Sequence, residues 1–505
     1  MSPDLNKLAT FPSKPRIFIL TDVLNEPDDS QSLVRYLLYS NEFDTRGICA
    51  VTSTWLRSST HPEELRRIIT AYANVVNNLN NHVHPAFKYQ CADELLSLVT
   101  SGPPVYGKKA FKEPLSDGAQ RLLDALRESP EPLYIPVWGG VNTLAQALKD
   151  LDETASPEEA TTQRAKLRVY SISDQDDTGV WIRAKFPDVF FIVSAHGWNE
   201  YSQGSWLGMN IGGGDGADHT KVLNPWLEKH IRVGDFGAEA YPPVKFGMEG
   251  DTPSFLWLVQ NGLGHRDHIE WGGWGGRYAR PQAEADWEEG IDANHFHNVA
   301  DCGVVGIDGK LHNDHRSTIW RWRDAMQDDF AARMQWTLTK RFDEVGHPPV
   351  VAVNGHGGVE PLILKVKPHE KHILDASGTS NPDSPNSDSD LDYVWMLYSD
   401  INCFHFFGRG PTVEISAEEE DLPSDPRLGD DVAGFASHTR ARRVRVTVPQ
   451  AERNIQTGLV TPDFHVLLQV TNTARSYPIR RYKRVIFSYV DDGSPVPLGK
   501  ILEGF

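Results

Sequence analysis

The sequence predicts an α/β protein with a mainly parallel sheet covered by helices on both faces, followed by a small all-β sandwich domain. Short apolar runs alternate with amphipathic helical patterns from Arg16 to about Val366. After residue 367 this helical periodicity ends and short alternating strands follow. A length of 505 residues exceeds what one core usually serves, so we expect two domains, 1–366 and 367–505.

The strands and helices of the first domain are predicted from the period of their apolar residues. Apolar runs of strand length are RIFIL (16–20), GICAVT (47–52), LYIPVW (133–138), LRVYSIS (167–173) and VFFIVSA (189–195), with PVVAVNG (349–355) as a further candidate. Apolar residues recur every three or four positions, as in helices, in SQSLVRYLLYS (30–40), HPEELRRIITAYANVVNNL (61–79), SDGAQRLLDALRE (116–128) and VNTLAQALKDL (141–151). Helices alternating with strands in this way indicate a parallel sheet.

The second domain is predicted from a change in composition. A polar stretch, DASGTSNPDSPNSDSDLDY (375–393), precedes segments in which apolar and polar residues alternate. The clearest of these segments are RARRVRVTVPQ (440–450), FHVLLQVTN (464–472) and YKRVIFSYV (482–490). Alternation with turn residues between segments is typical of antiparallel strands in a small Ig-like sandwich.

Composition and charge exclude several classes of partner. The formal net charge is -19 and no long run of Lys and Arg occurs, so a nucleic-acid partner is not expected. Nowhere do 18 apolar residues run together, so no membrane span is expected either. The acidity suits a divalent cation or a neutral sugar. The compartment stays open between the cytoplasm and a secreted location.

Cysteines and histidines do not predict a zinc site. Cys49, Cys91, Cys302 and Cys403 are widely separated and form no CxxC pair. The histidine-rich segments HFH (295–297) and HNDH (312–315) lack the helical spacing and the accompanying glutamate of an HExxH motif.

The strongest functional signal is an acidic loop directly after the first predicted strand. The loop carries Asp22, Glu26, Asp28 and Asp29 within eight residues. So many carboxylates between an apolar strand and an apolar helix repel one another unless a cation binds them. Oxygen ligands without adjacent His or Cys favour calcium over zinc, with magnesium as an alternative. A lone Asp28–Asp29 pair would be read as a helix cap, but Asp22 at the strand end favours metal binding.

This loop resembles the DxDxxxDDAxA signature of the inosine-uridine-type nucleoside hydrolases. Thr21 stands in place of the first Asp of that signature, and the stretch VLNEP before Asp28 is two residues longer than usual. The fuller string TDVLNEPDDSQSLVRYLLYSNEF is similar to a divergent branch, the nucleoside-hydrolase-like, cellulose-binding Sde182-type proteins. The fold expected from this resemblance is the nucleoside-hydrolase-like α/β domain.

The resemblance implies a calcium site and its ligands. WGGVNTLAQAL (138–148) occupies the place of a TGPLTNLA-like turn, whose backbone carbonyl binds the metal. EGDTPSFLWLVQNGL (249–263) occupies the place of the late acidic ligand, with Glu249 near the position of the family's usual His. The implied metal ligands are Asp22, Asp29, the carbonyl of Trp138 and Asp251.

Substrate-binding residues are expected in the acidic loop and in three further segments. SISDQDDTGVWIR (171–183) offers sugar-binding carboxylates or a solvated turn and helix cap, while SAHGWNEYSQGSW (194–206) mixes polar groups with an aromatic ring. HIEWGGWGGRYARP (268–281) suits either stacking on a ring or loop packing. The candidates are Asn25, Glu26, Asp28, Asp176, Asp177, His196, Trp198, Asn199, Glu200 and Trp274.

The implied chemistry is a calcium-dependent glycoside hydrolysis. In the related enzymes the cation binds a nucleophilic water and two sugar hydroxyls, and Asp22 corresponds to the general base. Direct attack predicts inversion. Glu249, Asp177, Glu200 and His196 are candidates for the general acid. The changed loops and the added domain favour an O-linked carbohydrate; the alternatives are a nucleoside N-ribohydrolase and a non-catalytic cellulose-binding protein. A homodimer is a further expectation from the resemblance.

Overall fold

The structure is a computed structural model. It describes residues 4–196, 198–280, 294–385, 389–402, 412–418, 428, 432–453, 460–491, 493 and 495–498. No helix in these ranges is both long enough and apolar enough to span a bilayer.

A mainly parallel sheet forms the centre of the first domain. Its strands are β1 (Arg16–Thr21), β2 (Asp44–Ala50), β3 (Val99–Ser101), β4 (Leu133–Val137), β5 (Leu167–Ser171), β6 (Phe190–Val193), β7 (Tyr278–Ala279) and β8 (His295–Asn298). The spatial order is β3-β2-β1-β4-β5-β6-β8-β7, and only the edge strand β7 pairs in the antiparallel sense. The five strands predicted between residues 16 and 195 are therefore confirmed.

Helices cover both faces of this sheet. They are α1 (Pro27–Tyr39), α2 (Pro62–Ala73), α3 (Val76–Leu79), α4 (Ala92–Ser97), α5 (Asp117–Arg127), α6 (Asn142–Thr154), α7 (Pro157–Arg164), α8 (Thr178–Lys185), α9 (Asn224–His230), α10 (Gly234–Ala240), α11 (Pro253–Leu256), α12 (Ser317–Trp320) and α13 (Arg323–Trp336). Ile17 and Ile19 of β1 join the core under α1 and α2. Phe18 and Leu20 join the opposite core under α5 and α6, because successive side chains of a strand point to opposite faces.

Two short hairpins lie outside the main sheets, the first before α12 and the second after α13. They are β9 (Asp301–Val305) with β10 (Leu311–Asp314), and β11 (Ala352–Val353) with β12 (His356–Gly357). The candidate strand 349–355 does not enter the parallel sheet. Val350 instead bridges Ser380, and Val351 and Val353 pack into the core of the second domain.

The second domain is a β sandwich. Its strands are β13 (Leu362–Val366), β14 (Lys371–Asp375), β15 (Leu391–Leu397), β16 (Glu414–Ala417), β17 (Thr439–Arg440), β18 (Arg443–Thr447), β19 (Phe464–Asn472) and β20 (Ile479–Tyr489). One sheet has the order β13-β20-β19-β15-β17 and the other β14-β18-β16. The three predicted strands correspond to β18, β19 and β20.

The boundary predicted at 367 lies too late in the chain. β13 precedes it, yet Leu362–Val366 pairs in parallel with Val485–Tyr489 of the sandwich. α13 of the first domain ends at Trp336. The boundary between the two domains therefore lies between Trp336 and Val351. Sequence periodicity missed this because β13 is an apolar run of the same kind as the strands of the first domain.

Candidate active site

Four carboxyl groups meet at the carboxyl end of the parallel sheet. Asp22 directly follows β1, Asp28 and Asp29 lie in the first turn of α1, and Asp251 lies just before α11. Carboxylate oxygens of Asp28, Asp29 and Asp251 all lie within 4.8 Å of one another. A Cβ atom on Gly139 would lie 2.8 Å from Oδ1 of Asp22, so Asp22 packs directly against the end of β4. The two ends of the first domain thus contribute to one acidic pocket.

The acidic pocket carries uncompensated negative charge. Asp22, Asp29 and Asp251 are at most 3% exposed, and Asp28 is half-buried. Burial, opposed by a hydrogen bond from Ser53, raises the pKa of Asp22 to about 7. Burial and then repulsion from Glu26 and Asp22 raise the pKa of Asp28 to about 7.

The pKa values of the other two carboxyl groups of the pocket, those of Asp29 and Asp251, are also raised. Burial followed by the charges of neighbouring carboxylates raises the pKa of Asp29 and of Asp251 well above the usual range. The charges that raise the pKa of these two residues belong to neighbouring carboxylates, including that of Glu26 beside the pocket. Only a bound cation or protons can relieve this repulsion.

The donor set of the pocket fits a hard divalent cation. Oδ2 of Asp22 and Oδ2 of Asp251 are buried and have no hydrogen-bond partner within the described ranges. The carbonyl oxygen of Trp138 accepts a hydrogen bond from Gln175 Nε2 and keeps a second lone pair. Thr21 Oγ1 donates to Asp29 Oδ1 and orients that carboxylate. Carboxylate and carbonyl oxygens without His or Cys are the ligands that calcium prefers.

Local backbone geometry brings Asp28 and Asp29 toward Asp22. The N–H of Asn25 donates to the carbonyl of Asp22 at 3.0 Å, which closes a tight turn after β1. Leu24 within this turn has φ +73°, a conformation that costs a non-glycine residue free energy and is often retained at functional sites. Pro27 then begins α1, and its first turn favours the negative charge of Asp28 and Asp29.

Glu249 does not fit the predicted role of general acid. Its side chain is fully buried and forms an ion pair with Arg35 of α1 at 2.5 Å. Tyr241 Oη and Thr252 Oγ1 also donate to its two oxygens, at 2.7 and 2.8 Å. Because both oxygens accept hydrogen bonds from the protein, neither is available to a leaving group. Glu249 instead attaches the Asp251 loop to α1, with φ +47° at its own backbone.

Asp176 and Asp177 also have structural partners. Oδ2 of Asp176 accepts the N–H of Asn142 at the start of α6, and its Oδ1 accepts the N–H of Thr178. Asp177 is exposed, and its Oδ1 accepts the N–H of Lys108 at 2.8 Å. These contacts favour the alternative that the sequence left open, a turn and helix cap, over sugar binding.

The remaining residues predicted to bind substrate lie in different environments. Trp274 is 1% exposed, lies in the main core and neighbours Tyr482 of β20, so it offers no face to a sugar. The side chains of Trp198 and Asn199 lie outside the described residues. Glu200 is exposed, while Asn25 and Glu26 are half-buried beside the acidic pocket.

An aromatic wall beside the acidic pocket was not predicted. Tyr201 contacts the rings of His196, Trp55 and Trp206, with centroids 5.1, 5.9 and 5.8 Å away. Burial raises the pKa of Tyr201, and the charges of Asp22 and Asp251 act in the same direction. The recurrence of Trp and Tyr in the loop 194–206 was the available signal, but Trp55 comes from a different loop. Only the fold places Trp55 beside Tyr201 of the loop 194–206.

Trp206 joins this aromatic wall to the carboxylates. A Cβ atom on Gly250 would lie 2.9 Å from the Trp206 ring and 3.2 Å from Oδ2 of Asp28. Glycine at 250 therefore lets the indole approach the acidic pocket. The indole Nε1 donates to Ser173 Oγ at 3.1 Å, which fixes the ring. A pocket with buried carboxylates on one side and aromatic rings on the other suits a sugar, whose hydroxyls and C–H faces need both.

Fold and site together define a nucleoside hydrolase-like α/β domain with an appended β sandwich. The family model described as cellulose-binding Sde182, nucleoside hydrolase-like domain, matches residues 16–278, and the chain belongs to this family. A second model, the C-terminal domain of cellulose-binding protein Sde0182, matches residues 371–489.

A solved structure agrees with this assignment over almost the whole chain. It is a nucleoside hydrolase-related hypothetical protein from Saccharophagus degradans, described as associated with carbohydrate metabolism. The two chains are 28% identical and superpose with a TM-score of 0.70, over 95% of this chain and 100% of the other. An engineered protein and an endo-fucoidan hydrolase of glycoside hydrolase family 107 align at 11% and 9% identity with TM-scores of 0.14 and 0.16. Comparison with curated protein sequences gave no significant match.

Proposed function

We propose that this protein is a calcium-dependent glycoside hydrolase that cleaves an O-linked carbohydrate with inversion at the anomeric carbon. The observation that carries the proposal is the buried acidic pocket of Asp22, Asp28, Asp29 and Asp251. Two of its carboxylate oxygens have no hydrogen-bond partner among the described residues, and no basic side chain compensates its charge there. A pocket built only for stability would not retain such a charge.

The residues that would hold the cation are Asp22, Asp29, Asp251 and the carbonyl of Trp138. Calcium, when bound, would supply Lewis-acid activation of water and of sugar hydroxyl groups. Asn25 and Glu26 lie on the loop beside these ligands and would position the sugar with Asp28.

Asp22 is the proposed general base. Its side chain is 2% exposed, and its Oδ2 has no partner in the described part of the chain, so this oxygen can take a proton from an attacking water. A covalent intermediate would need a second carboxylate beside the anomeric carbon. Glu249 is unsuitable because Arg35, Tyr241 and Thr252 occupy its oxygens. We therefore assign no covalent nucleophile and propose direct attack of water with inversion.

The aromatic wall supports a carbohydrate substrate and contributes a candidate for the acid. An alkoxide leaving group needs protonation, and Glu249 and Asp177 already bind protein groups. His196 and Glu200 are the remaining candidates for the acid. The ring of His196 contacts Tyr201, but burial lowers the pKa of His196, so its imidazole would carry the proton for a leaving group only at acidic pH. Trp55, half exposed at the rim, would stack on a sugar of the leaving group.

A second candidate function is carbohydrate binding without catalysis. It is favoured by the family descriptions, both of which name cellulose binding. A binder that depends on aromatic stacking would keep its affinity after calcium is removed with EDTA. A hydrolase of the proposed kind would lose its activity under the same treatment and regain it when calcium is returned.

The test of the proposal is a screen of oligosaccharides and aryl glycosides with calcium present. For a substrate that is turned over, Asp22→Asn should lower kcat by about 10²- to 10⁴-fold, the usual contribution of a general base. Asp93→Asn, an exposed aspartate in the first turn of α4, is the matched control and should leave kcat unchanged. Equal activity of Asp22→Asn and the native chain would refute the assignment of the base.

The same screen distinguishes the leaving groups. Release of free base from inosine, uridine or adenosine at rates above those for every glycoside would make the protein a nucleoside N-ribohydrolase and overturn the O-linked preference. We expect little or no base release.

A further inference from the structure

Two buried histidines and an aspartate form a continuous series of hydrogen bonds where the two domains meet. His82 follows α3 of the first domain, His347 lies in the segment that joins the domains, and Asp383 lies between β14 and β15 of the sandwich. Nε2 of His82 lies 2.8 Å from the carbonyl oxygen of Thr339, and its Nδ1 lies 3.0 Å from Nε2 of His347. Nδ1 of His347 lies 2.6 Å from Oδ1 of Asp383. We call these four groups the histidine chain.

The histidine chain is closed to solvent, and its members are held in fixed orientations. His82 and His347 are at most 1% exposed, as is the side chain of Asp383. The ring of His347 stacks on Phe342 with centroids 3.6 Å apart. Oδ2 of Asp383 accepts hydrogen bonds from the backbone N–H of His347 and from Asn472 Nδ2, at 2.8 and 2.7 Å. Since water does not reach these groups, the protein itself must supply every hydrogen of the histidine chain.

The three contacts of the histidine chain require three hydrogens. The carbonyl of Thr339 can only accept, so His82 must carry a hydrogen on Nε2. The contact between His82 and His347 needs a second hydrogen, and the contact between His347 and Asp383 needs a third. Two neutral imidazoles carry only two hydrogens on nitrogen, so the histidine chain binds one additional proton. The count is the same whether this proton resides on an imidazole or on the carboxyl group.

The additional proton makes the histidine chain neutral as a whole, because it offsets the negative charge of Asp383. Burial lowers the pKa of His82 and of His347, and Asp383 acts in the opposite direction on both. Without the additional proton, two lone pairs would face each other across one of the three buried contacts. A buried polar group that loses its hydrogen bond costs free energy, so the folded state favours the protonated chain.

The charges of the surrounding elements are paired or lie nearer the surface. Arg475, which follows β19, acts on His347 and disfavours a positive charge on its ring. On α13, Arg333 is paired with Glu42 and with Asp329. Other titratable groups on the same loops are exposed or half-buried, namely His84, Lys340, Arg341, Asp343, Glu344 and Asp390.

We propose that the histidine chain is a proton-dependent latch between the domains, which holds one additional proton when the sandwich is docked and weakens when that proton passes to solvent at alkaline pH. In the unfolded chain above about pH 7, the aspartate is ionised and both histidines are neutral, so the unfolded state binds one proton fewer. Stability therefore falls as the pH rises, by up to about tenfold in the unfolding equilibrium constant per pH unit. This inference concerns domain docking and does not depend on the proposed hydrolysis.

Asp383→Asn tests the count of hydrogens. The asparagine amide can donate to Nδ1 of His347 without a bound proton, while its oxygen still accepts from Asn472. We expect the unfolding equilibrium constant of the native chain to rise about tenfold relative to that of Asp383→Asn between roughly pH 7.5 and 9. Denaturant titration of the full chain at each pH measures this ratio.

Asp343→Asn, which removes an exposed carboxylate from the loop that contacts His347, is the matched control and should keep the native pH dependence. Parallel pH profiles for the native chain and Asp383→Asn would overturn the proposal. An Asp343→Asn variant that behaved like Asp383→Asn would also overturn it, because the effect would then be one of net charge.

His82→Phe provides a second test that does not depend on the folding of Asp383→Asn. A phenyl ring can still stack on Trp336, as His82 does, but it has no nitrogen. The one remaining contact, between His347 and Asp383, needs a single hydrogen, which a neutral imidazole supplies. We therefore expect His82→Phe to lose the alkaline dependence as Asp383→Asn does. Retention of the native dependence in His82→Phe would overturn the proposal.

Hydrogen exchange read by mass spectrometry locates the effect within the full chain. At pH 9, residues 80–84 and 339–347 should exchange faster in the native chain than in Asp383→Asn, because the latch has lost its proton only in the native chain. Equal exchange of these segments in both proteins would contradict a latch at this place. Neither result bears on the Asp22→Asn test of hydrolysis, so failure of one proposal can be told from failure of the other.

Discussion

Aspartates of this protein occupy two opposite kinds of buried environment. Burial opposes the charge of Asp329, but Arg481 and Arg333 more than offset it and lower the pKa of Asp329 to about 2. Asp29 and Asp251 are equally buried, yet carboxylates are the principal charges around them, so their pKa values are raised. The same side chain therefore stabilises the fold in one place and is a proposed cation ligand in the other.

Removing one carboxylate of the acidic pocket should have opposite effects with and without calcium. Without calcium, Asp251→Asn should unfold at the same temperature as the native chain or higher, because like-charge repulsion is relieved. With calcium at 100 times the native dissociation constant, the native chain should gain about 2.7 kcal/mol and the variant much less. Thermal unfolding with and without the ion measures both effects.

Asp93→Asn is again the control and should respond to calcium as the native chain does. If Asp251→Asn gained as much stability from calcium as the native chain, Asp251 would not be a ligand.

At the scale of elements, α13 of the first domain packs on β20 of the sandwich through buried ion pairs. Asp329 of α13 bonds Arg481 at 2.7 Å and Arg333 at 3.0 Å, and Asp328 bonds Arg480 at 2.8 Å. Tyr39 of α1 donates to Asp329 at 2.7 Å, which extends this contact to the helix that carries Asp28 and Asp29. The sandwich thus supports the same helix that forms the site.

Asp329→Asn should weaken the docking of the domains. The substitution removes the carboxylate that pairs with Arg481, whereas Arg333 keeps its ion pair with Glu42. Because a buried charge loses its partner, we expect a loss of about 3–5 kcal/mol in the free energy of unfolding at pH 7. Denaturant titration measures this loss. Asp343→Asn, in the exposed pair with Arg341, is the matched control and should leave the unfolding free energy unchanged within error.

The pH dependence of this loss has a definite sign. The folded-state pKa of Asp329, about 2, lies below the ordinary value of 3.8. The stabilisation is therefore complete above pH 4 and is lost as the pH falls through 2. The gap between the native chain and Asp329→Asn should shrink by roughly 2 kcal/mol over that window. If the difference in unfolding free energy between the native chain and Asp329→Asn stayed constant from pH 6 to pH 2, the lowered pKa of Asp329 would be contradicted.

At the scale of the whole molecule, the main hydrophobic cluster of the first domain extends into the sandwich, which also has a core of its own. Tyr482, Leu467 and Tyr398 of the sandwich belong to the same buried cluster as Trp322. Arg484 is buried and donates to the carbonyl of Leu263 at 3.0 Å. An interface of this kind indicates that the sandwich stabilises the first domain, whatever else it binds.

Residues 1–348 should not fold stably without the sandwich. Cutting at 348 exposes Trp322 and removes Arg481 from Asp329, so we expect ANS binding and loss of a cooperative thermal transition. Residues 349–505, which keep β13 with β20, should restore the transition when the two fragments are produced together. Independent cooperative unfolding of residues 1–348 near the native temperature would contradict a shared core.

The pattern of the sequence was sufficient for the elements that local periodicity defines. β1, β2, β4, β5 and β6 lie at their predicted places, and α1 begins at Pro27 beside the acidic loop. Asp22, Asp28 and Asp29 were also named in advance, since ligands of such sheets bind at the carboxyl ends of the strands and these residues follow β1. Asp251 was reached through the family resemblance, because it is more than 200 residues from Asp22.

The sequence by itself determined the α/β fold with its appended sandwich and the residue types of the acidic pocket that we propose as an oxygen-only cation site. The fold follows from the spacing of apolar residues along the chain, and the site follows from the high density of carboxylates in one loop. Only the tertiary structure decided that Glu249 pairs with Arg35 and that β13 belongs to the sandwich. It also decided that Trp274 is buried in the core whereas Trp55 is half exposed. Those outcomes depend on contacts between residues that are distant in the chain. Local sequence patterns do not show which of these residues the fold brings together.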